Sequence, residues 1–256
     1  MGRLAGKIAI ITGASGGIGL ATATKMLAEG AKLMLCGRNQ MRLETVVAQL
    51  NGGESVSICV GNPSEEADVI AMVDATKTRF GKVDILFANA GAEGRIAPLT
   101  ALSVEEFDEV QQVNVRGTWL AIKHAGPAMI ESGGGSIICT SSVAGSVGVA
   151  GLAAYASSKH AINGLVHVAA LEFGKMGVRI NAVAPAPIDN AMMASIEKQA
   201  SPDDPSLARQ GFSSLIAMGR YGTNEEVANI VAFLASDEAS YCTGGIYPID
   251  GGFLAA

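Results

Sequence analysis

The chain has 256 residues, 49% of them hydrophobic, and a formal net charge of -6. That length admits one large α/β domain or two small ones, with a sizeable core. An acidic balance without a basic stripe argues against a nucleic-acid partner, and no apolar run approaches the ~18 residues of a membrane span.

In chain order, short apolar runs alternate with helical periodicity. Strands are predicted over 7–12, 32–37, 55–60, 84–88, 135–140, 178–184 and 245–249, and helices over 17–29, 39–50, 65–80, 103–131, 152–175 and 224–235. Ser103-Val104-Glu105-Glu106 reads as a capping box, and Ser64 ahead of Glu65 and Glu66 marks another helix start. Strand–helix alternation predicts a parallel sheet covered by helices on both faces. Continuous apolar strands fit a sheet buried on both sides. Residues 186–220 break the rhythm with Pro187, Pro202, Pro205 and the acidic pair Asp203-Asp204, and are expected to form a long irregular insertion, a functional lid. No linker or repeat divides the chain, so one domain over 1–256 is expected, with the lid at about 186–220.

Cys36, Cys59, Cys139 and Cys242 form no C-x-x-C pair, and three of them fall in predicted buried strands, where free cysteine acts as a small hydrophobe. With no signal-peptide layout at the N-terminus, the expected setting is a reducing cytoplasm. His124, His160 and His167 make no plausible metal set, so no metal is expected.

Thr12-Gly13-Ala14-Ser15-Gly16-Gly17-Ile18-Gly19 joins the first strand to the first helix. Glycines there let the backbone turn sharply and approach a pyrophosphate, and the helix N-terminus offers unpaired N–H groups. The spacing departs from G-x-G-x-x-G, and a tight turn that binds nothing is the alternative. The second strand ends Leu35-Cys36-Gly37-Arg38 without the acid that would bind the adenosine ribose of NAD. Arg38 supplies a guanidinium suited to a 2′-phosphate, which favours NADP(H) over NAD(H); otherwise it is a surface arginine opening a helix.

Tyr155-x-x-x-Lys159 places a phenol and an ammonium one helical turn apart. A free tyrosine has a pKa of about 10, and a nearby cation is expected to lower it. Ser142 follows the fifth strand and can converge with Tyr155 at the carboxyl edge of the sheet, stabilising charge on a substrate oxygen. A plain turn serine is the other reading of Ser141 and Ser142. Asn114 sits mid-helix, where asparagine is a modest helix former, and is read either as a polar working group or as part of a solvated face. Asn89-Ala90-Gly91 is either a strand cap or a cofactor wall. Met192 and Met193 open the insertion and either line an apolar pocket or pack the lid.

Together these residues resemble the short-chain dehydrogenase/reductase family in its single-domain branch. The motifs are Thr12-Gly13-x-x-x-Gly17-x-Gly19, Asn89-Ala90-Gly91, Asn114, Ser142 with Tyr155-x-x-x-Lys159, and Asn181-Ala182-Val183-Ala184-Pro185. The segments Gly219-Arg220-Tyr221-Gly222 and Asp250-Gly251-Gly252 are also similar, so the likeness covers essentially the whole chain. It implies a doubly wound Rossmann-type sheet of order 3-2-1-4-5-6-7 and a catalytic tetrad of Asn114, Ser142, Tyr155 and Lys159. Tyr155 would be the acid/base, Ser142 would hold the carbonyl, Lys159 would tune the phenol and bind the nicotinamide ribose, and Asn114 would position a water in a relay to Lys159. The implied cofactor contacts are Gly13, Ser15, Gly16, Gly17, Ile18, Gly19, Arg38, Asn62, Asn89, Ala90, Gly91, Tyr155, Lys159, Pro185, Ile188 and Asn190. Departures are Asn62 where an aspartate commonly contacts adenine, Pro185-Ala186 for Pro-Gly, Asn190 for a threonine near the carboxamide, and Ala88 for the first asparagine of Asn-Asn-Ala-Gly. No basic residue stands at Gly16, so Arg38 alone argues for the phosphate.

The expected activity is reversible reduction of a ketone to a secondary alcohol, on a small cyclic or aryl carbonyl compound. The resemblance also implies a homotetramer or homodimer built on the helices 103–131 and 152–175. Two alternatives remain: a 3-oxoacyl-[acyl-carrier-protein] reductase, and a non-catalytic NADP(H)-sensing or scaffold protein. An epimerase or dehydratase of the extended branch calls for a longer C-terminal substrate region.

Overall fold

The computed structural model describes residues 2–255. The elements run β1 (Ile8–Thr12), α1 (Gly17–Ala28), β2 (Lys32–Gly37), α2 (Gln40–Leu50), β3 (Val56–Val60), α3 (Glu66–Phe80), β4 (Ile85–Ala88) and α4 (Val104–Gln111). After a π-helical turn at Gln112–Arg116 come α5 (Gly117–Glu131), β5 (Gly135–Thr140), α6 (Ala153–Phe173), β6 (Val178–Pro185), α7 (Ala191–Ala200), α8 (Pro205–Ser214), α9 (Asn224–Ala235) and β7 (Ile246–Ile249). All seven strands are parallel, in the order β3-β2-β1-β4-β5-β6-β7. The fold is the expected Rossmann-type sheet. Among the described residues no helix is long and apolar enough to cross a membrane.

The strand pattern explains the two layers. Ile10 of β1 faces the layer of α3, α5 and α6, where it joins Val73, Leu120 and Val166. Its neighbours Ala9 and Ile11 face the other layer, with Met26 of α1, Leu43 of α2 and Val231 of α9. Successive side chains of a strand point to opposite faces, so a strand covered on both sides must be apolar throughout. Phe87 and Ile10 are fully buried, and each such side chain contributes about 1.5–3 kcal/mol.

Three expectations need correction. The helix expected over 103–131 is broken into α4 and α5 by the π turn, which contains Asn114. The insertion at 186–220 is not irregular, because it folds into α7 and α8. Asn190 caps α7 by accepting from the N–H groups of Met192 and Met193, and Asp204 caps α8 with Pro205 at its first position. Ser64 does not cap α3. Glu65 occupies that position without a side-chain bond, and the Ser64 hydroxyl is buried with no partner among the described residues. The capping box of Ser103 and Glu106 forms as expected.

Chain order reverses direction at β1, which sits between β2 and β4. In open α/β sheets a crevice opens outside the carboxyl ends of the strands at such a point. The glycine turn after β1, Asn89-Ala90-Gly91 after β4 and Ser142 after β5 all lie at that edge.

Candidate active site

The floor is built by crossbars between strand ends. The Thr12 hydroxyl accepts from the N–H groups of Asn89 (2.9 Å) and Ala90 (3.1 Å). Asn89 donates through Nδ2 to the carbonyls of Thr12 and Gly13, each at 3.3 Å, and its Oδ1 accepts from the Thr140 hydroxyl at 3.1 Å. Asn89 therefore ties β1, β4 and β5 together at the edge. Gly13 has φ 63°, and a Cβ there would lie 3.0 Å from the Ala90 Cα, so this turn requires glycine. Gly16 caps α1 with no side-chain bond, and the first turn of α1 holds no acid. The first N–H groups of α1 thus carry no side-chain cap, which suits an anion.

Two cavities share this floor and form one cleft. The first, of about 150 Å³, lies by the ends of β2 and β3 and is bordered by Gly37, Arg38, Asn62, Pro63, Asp68 and Val113. The second, of about 390 Å³, extends over the ends of β5 and β6 beneath α7 and α8. Gly13, Ser15, Ala90 and Gly91 border both. Gly16, Gly17 and Ile18 border the second, together with Asn89, Ser142, Tyr155, Lys159, Pro185, Ile188 and Asn190. Gly19 borders neither and is packed against the Gly13–Ala14 backbone. Nor does Asn114 line either cavity.

Asn114 is fully buried in the π turn. Its Oδ1 accepts from Ala92 N (2.8 Å), and its Nδ2 donates to Ala92 O and the Ser158 hydroxyl, each at 2.9 Å. Its side chain fastens the loop after β4 to α6. Lys159 is 3% exposed and donates to the Thr140 carbonyl at 2.8 Å. A Cβ at Gly91 would lie 3.3 Å from Asn114 Oδ1 and 3.7 Å from Lys159 Nζ. The Lys159 ammonium lies 5.3 Å from the centre of the Tyr155 ring. The Ser142 hydroxyl donates to the Pro185 carbonyl at 3.3 Å and accepts from Ala144 N at 3.2 Å.

The electrostatics differ from the expectation that Lys159 lowers the phenol. Burial pushes Tyr155 up to about 12, with the Ser142 hydroxyl pulling the other way and Glu93 adding to the rise. Burial also pulls Lys159 down to about 8. Desolvation disfavours the charged form of each group, and it is the largest cause of both shifts. At neutral pH Tyr155 keeps its proton.

The lid side of the second cavity is apolar: Met192, Met193 and Ile196 from α7, Phe212 from α8, then Leu215, with Phe253 from the segment after β7. Met193 and Ile196 also pack with Ile216 and Tyr221, so the two readings of the methionines both apply. Within the lid Arg209 forks onto Asp189 at 3.1 and 2.9 Å, and Gln199 of α7 accepts from Ile96 N at 3.0 Å, tying the lid to the loop after β4. Sequence reasoning missed Arg42 in the first turn of α2, which borders the second cavity beside the glycine turn. It also missed Phe212, Leu215 and Phe253, whose sequence positions give no sign that they meet. Asn190 and Asn62 reach the cleft, but their Oδ1 atoms are engaged: Asn190 caps α7, and Asn62 accepts from Ser64 N.

A parallel sheet with an uncapped glycine turn, leading to a buried Lys and a proton-bearing Tyr, defines a nucleotide-dependent oxidoreductase. A family described as Enoyl-(Acyl carrier protein) reductase matches residues 13–254. The chain is 40% identical over 257 residues to levodione reductase of Leifsonia aquatica, covering 99% of this chain and 96% of that protein. It is 34% identical over 250 residues to cyclohexanol dehydrogenase of Acinetobacter sp. (strain SE19), covering 97% and 95%. A crystal structure of levodione reductase matches with a TM-score of 0.97 at 40% identity, covering 99% of this chain and 100% of that one. The structure of NAD+-bound xylitol dehydrogenase matches with a TM-score of 0.92 at 35% identity, covering 97% and 99%. The chain belongs to the short-chain dehydrogenase/reductase family and is an NAD(P)-dependent oxidoreductase of alcohol and carbonyl groups.

Proposed function

We propose that this chain reversibly reduces a small cyclic or aryl ketone to a secondary alcohol with NADP(H), acting as one catalytic domain over 1–256 with residues 186–220 as substrate lid. The observation that carries the reading is the second cavity, polar at the sheet edge and apolar across its lid face. Such a chamber favours a neutral ring with one carbonyl oxygen, since an unpaired charge against the lid would be strongly penalised. The relatives named for levodione and cyclohexanol support the same substrate class.

When bound, the nicotinamide donates or accepts the hydride. Gly13, Ser15, Gly16, Gly17, Ile18 and Gly19 form the pyrophosphate turn. Asn62 would border the adenine, and Asn89, Ala90, Gly91, Pro185, Ile188 and Asn190 would wall the nicotinamide half. Tyr155 gives its proton to the carbonyl oxygen, and the Ser142 hydroxyl turns from Pro185 to donate to that same oxygen. Lys159 would hold the ribose hydroxyls and steady the phenolate left behind. Asn114 positions the wall through Ala92 and Ser158, so a relay water to Lys159 would use its backbone carbonyl and not its amide. Arg38, at the first cavity, supports the preference for a 2′-phosphate. Four free cysteines fit a cytoplasmic setting.

The matched family's description supplies a second reading, reduction on an acyl carrier protein. Against it, the chain carries 24 acidic and 18 basic residues, a poor match for an acidic carrier. NADPH absorbance loss decides between them. Cyclic ketones should be turned over and an acyl thioester should not; turnover of the thioester alone would reverse the ranking, and binding without turnover of any substrate would favour a sensor. In the same assay Arg38→Asp should shift the NADPH/NADH ratio of kcat/KM by at least about tenfold toward NADH, and an unchanged ratio would remove Arg38 from cofactor choice.

A further inference from the structure

Two thiols stand in the first cavity, and hydride transfer uses neither. Cys36 on β2 and Cys59 on β3 are register partners across adjacent parallel strands. Their side chains therefore leave the same face of the sheet, and both line the cavity of about 150 Å³ alongside Arg38 and Asp68. They differ in access: Cys36 is 6% exposed, while Cys59 is half-buried. Burial pushes the Cys36 thiol up and keeps it protonated, and its Sγ donates to the Met34 carbonyl at 3.8 Å. The neighbouring Cys36 draws the Cys59 thiol down to about 7, against burial and the charge of Asp68. Cys139, by contrast, is fully buried and pushed up to about 12. A thiolate is the nucleophile in thiol chemistry, and access and thiolate content together set its rate.

We propose that Cys59, set against Cys36, is a thiol-exchange site inside the adenosine cavity, and that it takes a small anionic disulfide of the oxidised-glutathione class. The inference rests on the proposed placement of the adenosine in this cavity. The Cys59 thiolate attacks one sulfur of the disulfide and a new S–S bond forms to Cys59. The original S–S bond breaks, and the other half leaves as a thiolate that takes up a proton, so no further oxidant is required. The Arg38 guanidinium at the same cavity favours a carboxylate-bearing reagent. The adduct occupies the space of the adenine, so modification and cofactor binding exclude each other.

The test treats the purified chain with oxidised glutathione, with and without NADPH, and reads adducts by peptide mass spectrometry and NADPH binding by fluorescence. The expected result is one mixed disulfide at Cys59, at least about tenfold weaker NADPH binding, protection by NADPH, and recovery with dithiothreitol. Cys59→Ser should keep its own untreated affinity after exposure, and Cys36→Ala should react more slowly. Modification confined to Cys242, or a Cys59 adduct that leaves NADPH affinity unchanged, would overturn the proposal. Failure of the untreated chain to bind NADPH would instead count against the reading of the cleft.

Discussion

Lys159 and Tyr155 set the pH behaviour of the site. Lys159 carries its charge below about 8 and loses it above, whereas Tyr155 stays protonated until about 12. A free-enzyme profile reports such groups. Reductive kcat/KM for NADPH should therefore hold steady below neutral pH and fall as pH rises through about 8, because the charged lysine is the form that engages the ribose. A profile level up to pH ~10 would remove Lys159 from that role. The positions of Ser142, Tyr155 and Lys159 were legible because a turn serine after a strand and a phenol–ammonium pair on the next helix must meet at one edge. Their protonation was not, since it depends on burial. Arg42 was also hidden: an exposed helical arginine looks like any surface arginine until the glycine turn is seen beside it.

At the scale of elements, a small charged cluster braces the lid from within, joining α8 to α7 and the segment that leads into it. Arg209 on α8 forks onto Asp189, stacks over Tyr221 with 4.6 Å to the ring centre, and lies 3.7 Å from the buried Glu197 of α7. Glu197 Oε1 and the Tyr221 hydroxyl have no hydrogen-bond partner among the described residues. Removing the guanidinium leaves Glu197 without its cation and frees Asp189, next to Ile188 and Asn190. Since the Arg209–Asp189 pair is largely exposed, Arg209→Met should raise ketone KM by only about two- to fivefold. Arg209→Lys should recover part of that, and an unchanged KM would show the cluster does not position the lid. Strand boundaries were readable to within a residue or two because buried apolar runs end abruptly at Gly, Asn or Thr. The lid helices were missed because Pro202, Pro205 and Asp203-Asp204 were read as breakers, although Asp204-Pro205 is a helix-start signal. The π turn at Asn114 is a change of hydrogen-bond register, and sequence showed only an ill-suited residue there.

Across the whole molecule, the reversal of strand order at β1 brings residues from six strand ends to one crevice, which is why a sequence with dispersed polar motifs yields a compact site. The outer faces of α5 and α6 expose large apolar groups, Trp119 at 45%, Val168 at 55% and Leu171 at 84%. Burying such groups favours self-association, and sedimentation should find a dimer or tetramer, as proposed from the family; a monomer at assay concentration would refute it. The most direct test of the account is Tyr155→Phe, measured for both turnover of a cyclic ketone and NADPH binding. Loss of only the phenol hydroxyl should lower kcat by at least about a hundredfold while NADPH affinity stays within about threefold of the unmodified chain. Full turnover in that variant would contradict the central claim that Tyr155 supplies the proton.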